Sequence, residues 1–594
     1  MKGEGVKYFF GIPGGGIAPF FNEFYDFPDI RVILVKHEQG ASFMADGYYR
    51  AGHVVAACGG TVGPGGMNII SGLHVPYQDS IPVLAITNNV PTTSFGKADI
   101  QDACGWGPRA LSHVDAAKPV TKWSVLVFNA KLVPEAIRRA FRIMLADRKG
   151  PVLIDLCQDI IREEIETEVL PPEKYRPFCK TRGDRETTEK AAELLVRASR
   201  PAILAGGGIQ DADAQPELFE LANLLSIPVA TTLMGKSSFP EDHQLALGVA
   251  GREGSNVANE VLTTDRTDLL LAIGCMFHTG TTRGWRSDFG GKRLIHVDID
   301  PMEIGKNYPV DVGIIGNSKT VLRDLIDIVR TKLSKMRKEE LEDFEALRKE
   351  RTEEILQLKG ELKYYAEPEM FSDAVPIKPQ RACKEIRESA DKDAIFFCDC
   401  GNNLAWAERY IQAYGPPRTF LVDGGHTAMG FSLAASIGAK LGAPNKQVID
   451  IIGNASFQML CKEVITAASY NIPVIWCILD DQNLGRIKHG QKFGYRRWDP
   501  ERYIATSSYD LDFEKFAEAC RVFGRKVERP GEIKDALNDA KASGKPAIID
   551  IKIDPDEVPP VYLQENEPVI QKYPYLLKKK MPAPTWPRPY ETPL

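Results

Sequence analysis

Two oxygen-rich turns carry the most specific chemistry in this sequence. Ile451-Ile-Gly-Asn-Ala-Ser-Phe457 and Ile478-Leu-Asp-Asp-Gln-Asn-Leu-Gly485 each read as a buried apolar strand that ends in small polar residues. The stretch between them, Gln458 to Asn471, has the apolar spacing of a crossover helix, which makes the two strands parallel neighbours with adjacent C-terminal ends. At those ends the side-chain oxygens of Asn454 and Asp481 and the backbone carbonyl of Asn483 can converge on a hard cation. Mg²⁺ takes oxygen ligands in an octahedron and completes it with phosphate and water. An ordinary βαβ unit with polar loops has the same local pattern, so the rest of the chain must decide.

A second chemical position is Glu38, in Val35-Lys-His-Glu-Gln-Gly-Ala-Ser42, between a strand and a helix. There a carboxylate either stabilises a helix start or acts as an acid/base tuned by burial. Two further strand ends are glycine-rich, Gly11-Ile-Pro-Gly-Gly-Gly16 and Gly59-Gly-Thr-Val-Gly-Pro-Gly-Gly66. Glycines such as Gly14 and Gly15 let the backbone approach a ligand closely, although neither loop fits a Walker or strict dinucleotide pattern.

The elements that must position these residues alternate short apolar strands with helical patterns, which predicts an α/β chain of three doubly wound parallel-sheet domains. The first, residues 1–168, places strands at Lys7–Gly11, Arg31–Val35, Val54–Ala57 and Val83–Thr87. A proline-containing linker follows, around Leu170-Pro-Pro-Glu-Lys-Tyr-Arg-Pro177. The second, residues 184–335, has the turn Gly206-Gly-Gly208 after its first strand and Asp298 and Asp300 at a later strand end, which suits an adenosine-type ligand or a plain Rossmann-like spacer. Residues 336–377 open as a charged helical connector, 378–557 form the third unit, and 558–594 are a tail rich in proline and aromatic residues with Lys578-Lys-Lys580. The tail is expected to wrap a surface or cover a site entrance. The first and third units look like one architecture used twice.

Composition narrows the function classes. With 74 basic and 80 acidic residues interspersed along 594, and a net charge of −6, nothing points to a nucleic-acid groove or an acidic lipid surface. No apolar run approaches the ~20 residues of a membrane span. The eleven cysteines lie largely in apolar runs without zinc spacing, which fits reduced thiols and predicts a cytoplasmic protein.

Taken together, His37-Glu-Gln-Gly, the pair Gly453-Asn-Ala-Ser-Phe and Asp481-Gln-Asn-Leu-Gly, Phe10-Gly-Ile-Pro-Gly-Gly, Gly63-Pro-Gly, Asp79-Ser-Ile-Pro-Val, Asn89-Val-Pro-Thr, Thr232-Leu-Met-Gly and His296-Val-Asp-Ile-Asp-Pro-Met resemble the thiamine-diphosphate enzymes of the acetolactate-synthase-like superfamily over roughly residues 1–555. The resemblance implies pyrimidine-binding, central Rossmann-like and diphosphate-binding domains, and a homodimer or homotetramer with the site between subunits. Glu38 would bond the aminopyrimidine N1′ and promote loss of the thiazolium C2 proton, and Met429 would wedge the cofactor into its bent shape. Asn402, Asn403 and the Ala455-Ser456 turn would contact the diphosphate, Gly14, Gly15, Gly401, Thr427, Gly453 and Gly485 would also bind the cofactor, and Asn454, Asp481 and Asn483 would hold Mg²⁺. Lys122 and Asp298 would favour FAD in the central domain, with ADP as the alternative; the usual arginine in Gly274-Cys-Met-Phe277 is absent.

Departures from the family pattern bear on substrate. Carboxylate and amide are exchanged between Asn454 and Asp481, which leaves one anionic and one neutral ligand oxygen and so predicts retained Mg²⁺ binding. Asn89 stands where glutamine is usual; His426 and Thr427 replace an apolar and a glycine position, and His74 a small residue. Asn89 and His426 are therefore candidate catalytic residues, since a histidine at a cofactor edge exchanges protons near neutral pH. The expected activity is a C–C lyase or carboligase on 2-oxo acids. The alternatives are a 2-hydroxyacyl-CoA lyase or oxalyl-CoA decarboxylase with an acyl-CoA substrate, a C–C cleaving hydrolase, and a degenerate cofactor-binding homologue.

Overall fold

Short runs of valine, isoleucine, leucine and other apolar residues, buried on both faces, build three six-stranded parallel sheets. A computed structural model describes residues 1–594 apart from 108–110, 177, 288, 290, 415–417, 495–503, 508–509 and 561–594. The tail expected over a surface or entrance thus lies almost wholly outside the described residues.

The first sheet contains β1 (Tyr8–Gly11), β2 (Arg31–Leu34), β3 (Ala57–Gly60), β4 (Leu84–Asn89), β5 (Trp123–Val127) and β6 (Val152–Cys157), in the order β2-β1-β3-β4-β6-β5. The central sheet contains β7 (Pro201–Ala205), β8 (Val229–Thr231), β9 (Ala246–Val249), β10 (Leu269–Ile273), β11 (Arg293–Asp298) and β12 (Val312–Ile315), ordered β12-β11-β10-β7-β8-β9. The third contains β13 (Ile395–Cys398), β14 (Phe420–Val422), β15 (Val448–Gly453), β16 (Val474–Asp480), β17 (Phe523–Val527) and β18 (Ala547–Lys552), ordered β14-β13-β15-β16-β18-β17. The first and third orders are the same, so one architecture is indeed used twice. In each the strand order reverses beside its first strand, between β1 and β3 and between β13 and β15, where a doubly wound sheet opens its ligand crevice.

Two local expectations need correction. The third strand begins at Ala57 rather than Val54 and runs through Gly59 and Gly60, which the sequence pattern places in a loop. Those glycines serve sheet packing: a Cβ on Gly11 would stand 2.2 Å from the Gly59 carbonyl oxygen, and one on Gly59 2.4 Å from that of Ile86. The crossover after β15 is two helices, Asn454–Leu460 and Glu463–Tyr470, not one from Gln458, because the extended Gly453 lets the first helix start at Asn454.

The first and third units are locked together by the helices Glu38–Gly52 and Phe431–Gly442, whose backbones touch along small residues. A Cβ on Gly47 would lie 2.0 Å from the Ala435 carbonyl oxygen, and one on Gly438 1.9 Å from that of Met44. Phe43 and Phe431 close the seam edge to face, 5.2 Å between centroids. Gly47→Ala or Gly438→Ala is therefore expected to lose about 3 kcal/mol or more of stability, since backbone rather than a flexible side chain must yield. Thermal unfolding checks this, and an unchanged midpoint would remove the seam as a determinant of the assembly.

Candidate active site

Glu38 is the first residue of its helix, where the helix N-terminus favours a carboxylate. It is 9% exposed, and its Oε2 accepts a hydrogen bond from Asn68 Nδ2 at 3.0 Å. Gly60 and Gly65 press against the side chain with no Cβ between. The strand end that presents it is held from the third unit: the buried Glu463 carboxylate accepts from Lys36 N at 3.1 and 3.2 Å, and Leu34 N donates to Tyr470 Oη at 2.8 Å. The adjacent His37 caps the helix, accepting from Gln39 N at 3.2 Å, and burial, with the Lys462 charge, lowers its pKa.

Asn454 begins the helix at the end of β15, and Asp481 directly follows β16. Gly453 pairs with Leu479, so the two turns lie one strand spacing apart, about 4.8 Å. Asp481 Oδ1 accepts from Asn483 N at 2.9 Å, folding the turn so that Asn483 follows the carboxylate. Gly485 seals the other side: a Cβ there would meet Asp481 Oδ2 at 2.1 Å and Asn402 Nδ2 at 2.9 Å. Burial pushes the Asp481 carboxyl up to about 6, an environment in which a bound cation would restore the anion. Among the described residues there is no cluster of three or more His, Cys, Asp or Glu side chains fit for a metal, consistent with a site that needs amide, backbone and ligand oxygens beside one carboxylate.

The surrounding loop fits a diphosphate. Gly401 takes φ +123° at the head of the helix Asn402–Tyr410. Asn402 Nδ2 contacts His489 Nδ1 at 3.0 Å, while Asn402 Oδ1 and Asn454 Nδ2 are buried without a hydrogen-bond partner in the described structure. The Asn454 Nδ2 donor is one that a bound oxyanion would satisfy, and the Asn402 Oδ1 acceptor one that a metal or its water would satisfy. Gly453, Ala455 and Ser456 line the same turn, with Ser456 Oγ directed to the Cys400 carbonyl at 3.4 Å. In the first unit Gly14 is pressed onto Thr61, where a Cβ would come within 2.5 Å, whereas Gly15 faces open space.

Three residues assigned from sequence have side chains engaged within the protein. Asn89 is fully buried, its Nδ2 donating to Ala103 O at 2.7 Å and Asp155 Oδ2 at 2.6 Å and its Oδ1 accepting from Val90 N at 2.9 Å, so its amide ties the loop and is not presented to a ligand. Asn403 Nδ2 donates to Asp399 O at 2.6 Å and Ile451 O at 3.3 Å, bridging the ends of β13 and β15, while its Oδ1 lies against Gly401 and Gly453. Lys122 Nζ donates to the carbonyls of Ala146 and Arg148 at 2.9 and 2.7 Å, and Arg148 lines the cavity between the central and outer units.

The turn bearing Met429 rests on acids that sequence reasoning missed. Asp79, from the first unit, accepts from Gly424 N and Gly425 N at 3.2 and 2.8 Å and pairs with Arg50 Nη2 at 2.8 Å. Asp423 accepts from His426 N and Ala428 N at 2.9 and 2.7 Å, and Asp399 from Gly430 N, Ser432 N and Ser432 Oγ at 3.0, 2.9 and 2.9 Å. Burial raises both Asp79 and Asp399 above the usual carboxylate range. The one signal available was Asp46-x₃-Arg50, a helical spacing for an ion pair on a buried face. Thr427 takes a left-handed φ of +54°, rare for a β-branched residue, where the family pattern has glycine. His426 is exposed at this turn and meets His74 of the first unit, ring centroids 4.0 Å apart. Burial and the neighbouring His426 lower the His74 pKa.

A cavity of about 620 Å³ runs from Gly207 and Gly208 past Asp298 to Gly424 and Thr427. Asp298 is held up to about 6 by burial, and its carboxylate accepts from Asp300 N at 2.9 Å.

Strand-end turns of this kind on two matching sheets, with a third α/β unit between, define a thiamine pyrophosphate enzyme. Residues 1–106 match the N-terminal TPP binding domain of that family, 188–325 its central domain and 399–551 its C-terminal TPP binding domain, and the chain belongs to the family. It is 39% identical over 573 residues to a probable acetolactate synthase large subunit of Methanocaldococcus jannaschii, covering 94% of this chain and 92% of the relative. It is 34% identical to the acetolactate synthase large subunit of Mycobacterium tuberculosis (93% and 86% covered) and 32% identical to glyoxylate carboligase of Escherichia coli O157:H7 (91% and 89%). The protein is a thiamine-diphosphate-dependent enzyme of the acetolactate-synthase-like group. No described helix is long and apolar enough to cross a membrane.

Proposed function

We propose that the protein is a Mg²⁺- and thiamine-diphosphate-dependent carboligase that joins 2-oxo acid units, and that its reaction centre forms between two copies of the chain. The observation that carries this reading is the pairing of the Asn454 and Asp481 turns at adjacent ends of β15 and β16, with unsatisfied amides beside them. When bound, the cofactor supplies a carbon nucleophile and an electron sink for decarboxylation and C–C bond formation. Asp481, Asn454 and the Asn483 carbonyl would hold Mg²⁺, and Gly401 and Asn402 the diphosphate. Glu38 has Oε2 fixed by Asn68, which leaves Oε1 to hold and return one proton, and its burial limits exchange of that proton with water.

The two-chain arrangement is supported by what covers Glu38 within one chain. There the third unit offers the helix Glu463–Tyr470 to the strand end before Glu38, not the turns at Asn454 and Asp481. Its own turns then serve the Glu38 of a second copy. The cavity ending at Gly207, Gly208 and Asp298 supports FAD or ADP in a structural role. Purified protein should carry one of the two, read as flavin absorbance or as bound ADP, and should convert pyruvate to acetolactate only with both thiamine diphosphate and Mg²⁺. Cleavage of a hydroxyacyl-CoA with no turnover of any 2-oxo acid would replace this reading with the acyl-CoA one.

A further inference from the structure

Glu408 is a buried acid on the cavity wall. It lies one turn beyond Leu404 on the helix Asn402–Tyr410, and both side chains line the wall of the cavity between the central and third units. It is 5% exposed, and no hydrogen bond or ion pair reaches it among the described residues. Glu253, 9% exposed, lines the same cavity; its Oε1 is 2.7 Å from Arg486 Nη1 and 3.9 Å from Arg252 Nε, and neither carboxylate oxygen has a hydrogen-bond donor in proper geometry among the described residues. Arg252 and Arg486 line the same wall, and Arg486 directly follows Gly485, whose backbone abuts the Asp481 carboxylate. The wall therefore borders the cofactor turns, and Gly424 and Thr427 open onto the same space.

The chemistry of the occupant follows from what these groups lack. Burial first, and the Glu253 charge second, push Glu408 up to about 8, against the opposing pull of Lys236, Arg486 and Arg409. Near neutral pH it is a carboxylic acid, one O–H donor beside one acceptor, near the Glu253 carboxylate that is ion-paired with Arg486. Pyruvate offers a methyl group and a carboxylate and supplies no donor. A hydroxyl beside a carbonyl supplies one to Glu253 or to the Glu408 carbonyl oxygen, and accepts one from the Glu408 O–H or a guanidinium.

We propose that Glu408 and Glu253, with Arg252 and Arg486, form the binding site for a hydroxylated acceptor, a hydroxyaldehyde or hydroxy-2-oxo acid, and thereby select it over alkyl analogues. This rests on the carboligase reading above. The test uses the holoenzyme with pyruvate as donor and compares glycolaldehyde with acetaldehyde as acceptor. The expected preference in kcat/KM is about 30-fold or more for glycolaldehyde, because a site built to bond a hydroxyl leaves its buried groups unpaired when the hydroxyl is missing. Glu408→Ala should bring that ratio below about 5-fold at an unfolding midpoint close to the parent's, and Glu408→Gln, isosteric and neutral with donor and acceptor kept, should retain most of it.

Turnover of pyruvate with no hydroxyl preference, or a folded Glu408→Ala with the preference intact, overturns the proposal and leaves the carboligase reading standing. Loss of flavin absorbance or ADP binding in Glu408→Ala with an unchanged ratio would also overturn it, assigning the wall to the nucleotide. A protein that turns over no 2-oxo acid removes both readings.

Discussion

Glu38→Gln is expected to lower turnover about 10³-fold while thiamine diphosphate still binds. The amide keeps the size of the side chain and the hydrogen bond to Asn68, so the pocket made by Gly60, Gly65 and Asn68 should persist. What it loses is a group that can hold a proton at Oε1 and release it. No second described acid contacts this pocket: Glu463 is occupied by Lys36 N and Thr466 Oγ1, and Asp155 by Thr87, Asn89 and His113. The measurement is the exchange rate of the cofactor C2 proton in the loaded enzyme, read by NMR beside steady-state turnover. Activity within threefold of the parent would remove Glu38 as the acid/base.

The second large effect concerns the exchanged metal ligands. Asp481→Asn deletes the single side-chain carboxylate among Asn454, Asp481 and Asn483, and should raise the Mg²⁺ concentration for half-maximal activity by about 100-fold, since a hard cation gains most from an anionic oxygen. Adding Asn454→Asp should bring the requirement back to within about 5-fold of the parent, because the ligand charge is the same with the carboxylate one strand away. A double variant no better than the single would mean that the position of the carboxylate, not only its charge, sets affinity. Unchanged Mg²⁺ dependence in Asp481→Asn alone would sink the assignment.

The motifs at the strand ends were legible because the chemistry there is carried by contiguous residues: a metal turn such as Asp481-Gln-Asn483 and a glycine head such as Gly401 are written within a few positions. The same holds for the fold class, since apolar strands alternating with helical patterns leave few topologies open. Which way an amide faces is not local. Asn89 and Asn403 look alike in sequence to Asn402, yet Asn89 is used by the Ala103 carbonyl and the Asp155 carboxylate, Asn403 by the carbonyls of Asp399 and Ile451, and Asn402 is left with an unanswered oxygen. The acids that support the Met429 turn escaped for the same reason. Asp79 and Gly425 are 346 positions apart, and only folding shows that one anchors the other.

The glycine seam between Glu38–Gly52 and Phe431–Gly442 also fixes an order of events during synthesis. Its two helices lie about 390 positions apart, so the first unit emerges long before its partner surface exists. Phe43, Met44 and the bare backbone at Gly47 must wait in solvent, or in transient contacts, until the Phe431 helix arrives. The central unit has no such dependence, for its apolar core from Ala191 to Phe344 is drawn from its own span and that of the connecting helix. Joining the first and third units thus needs a long-range contact, of the kind that forms slowly.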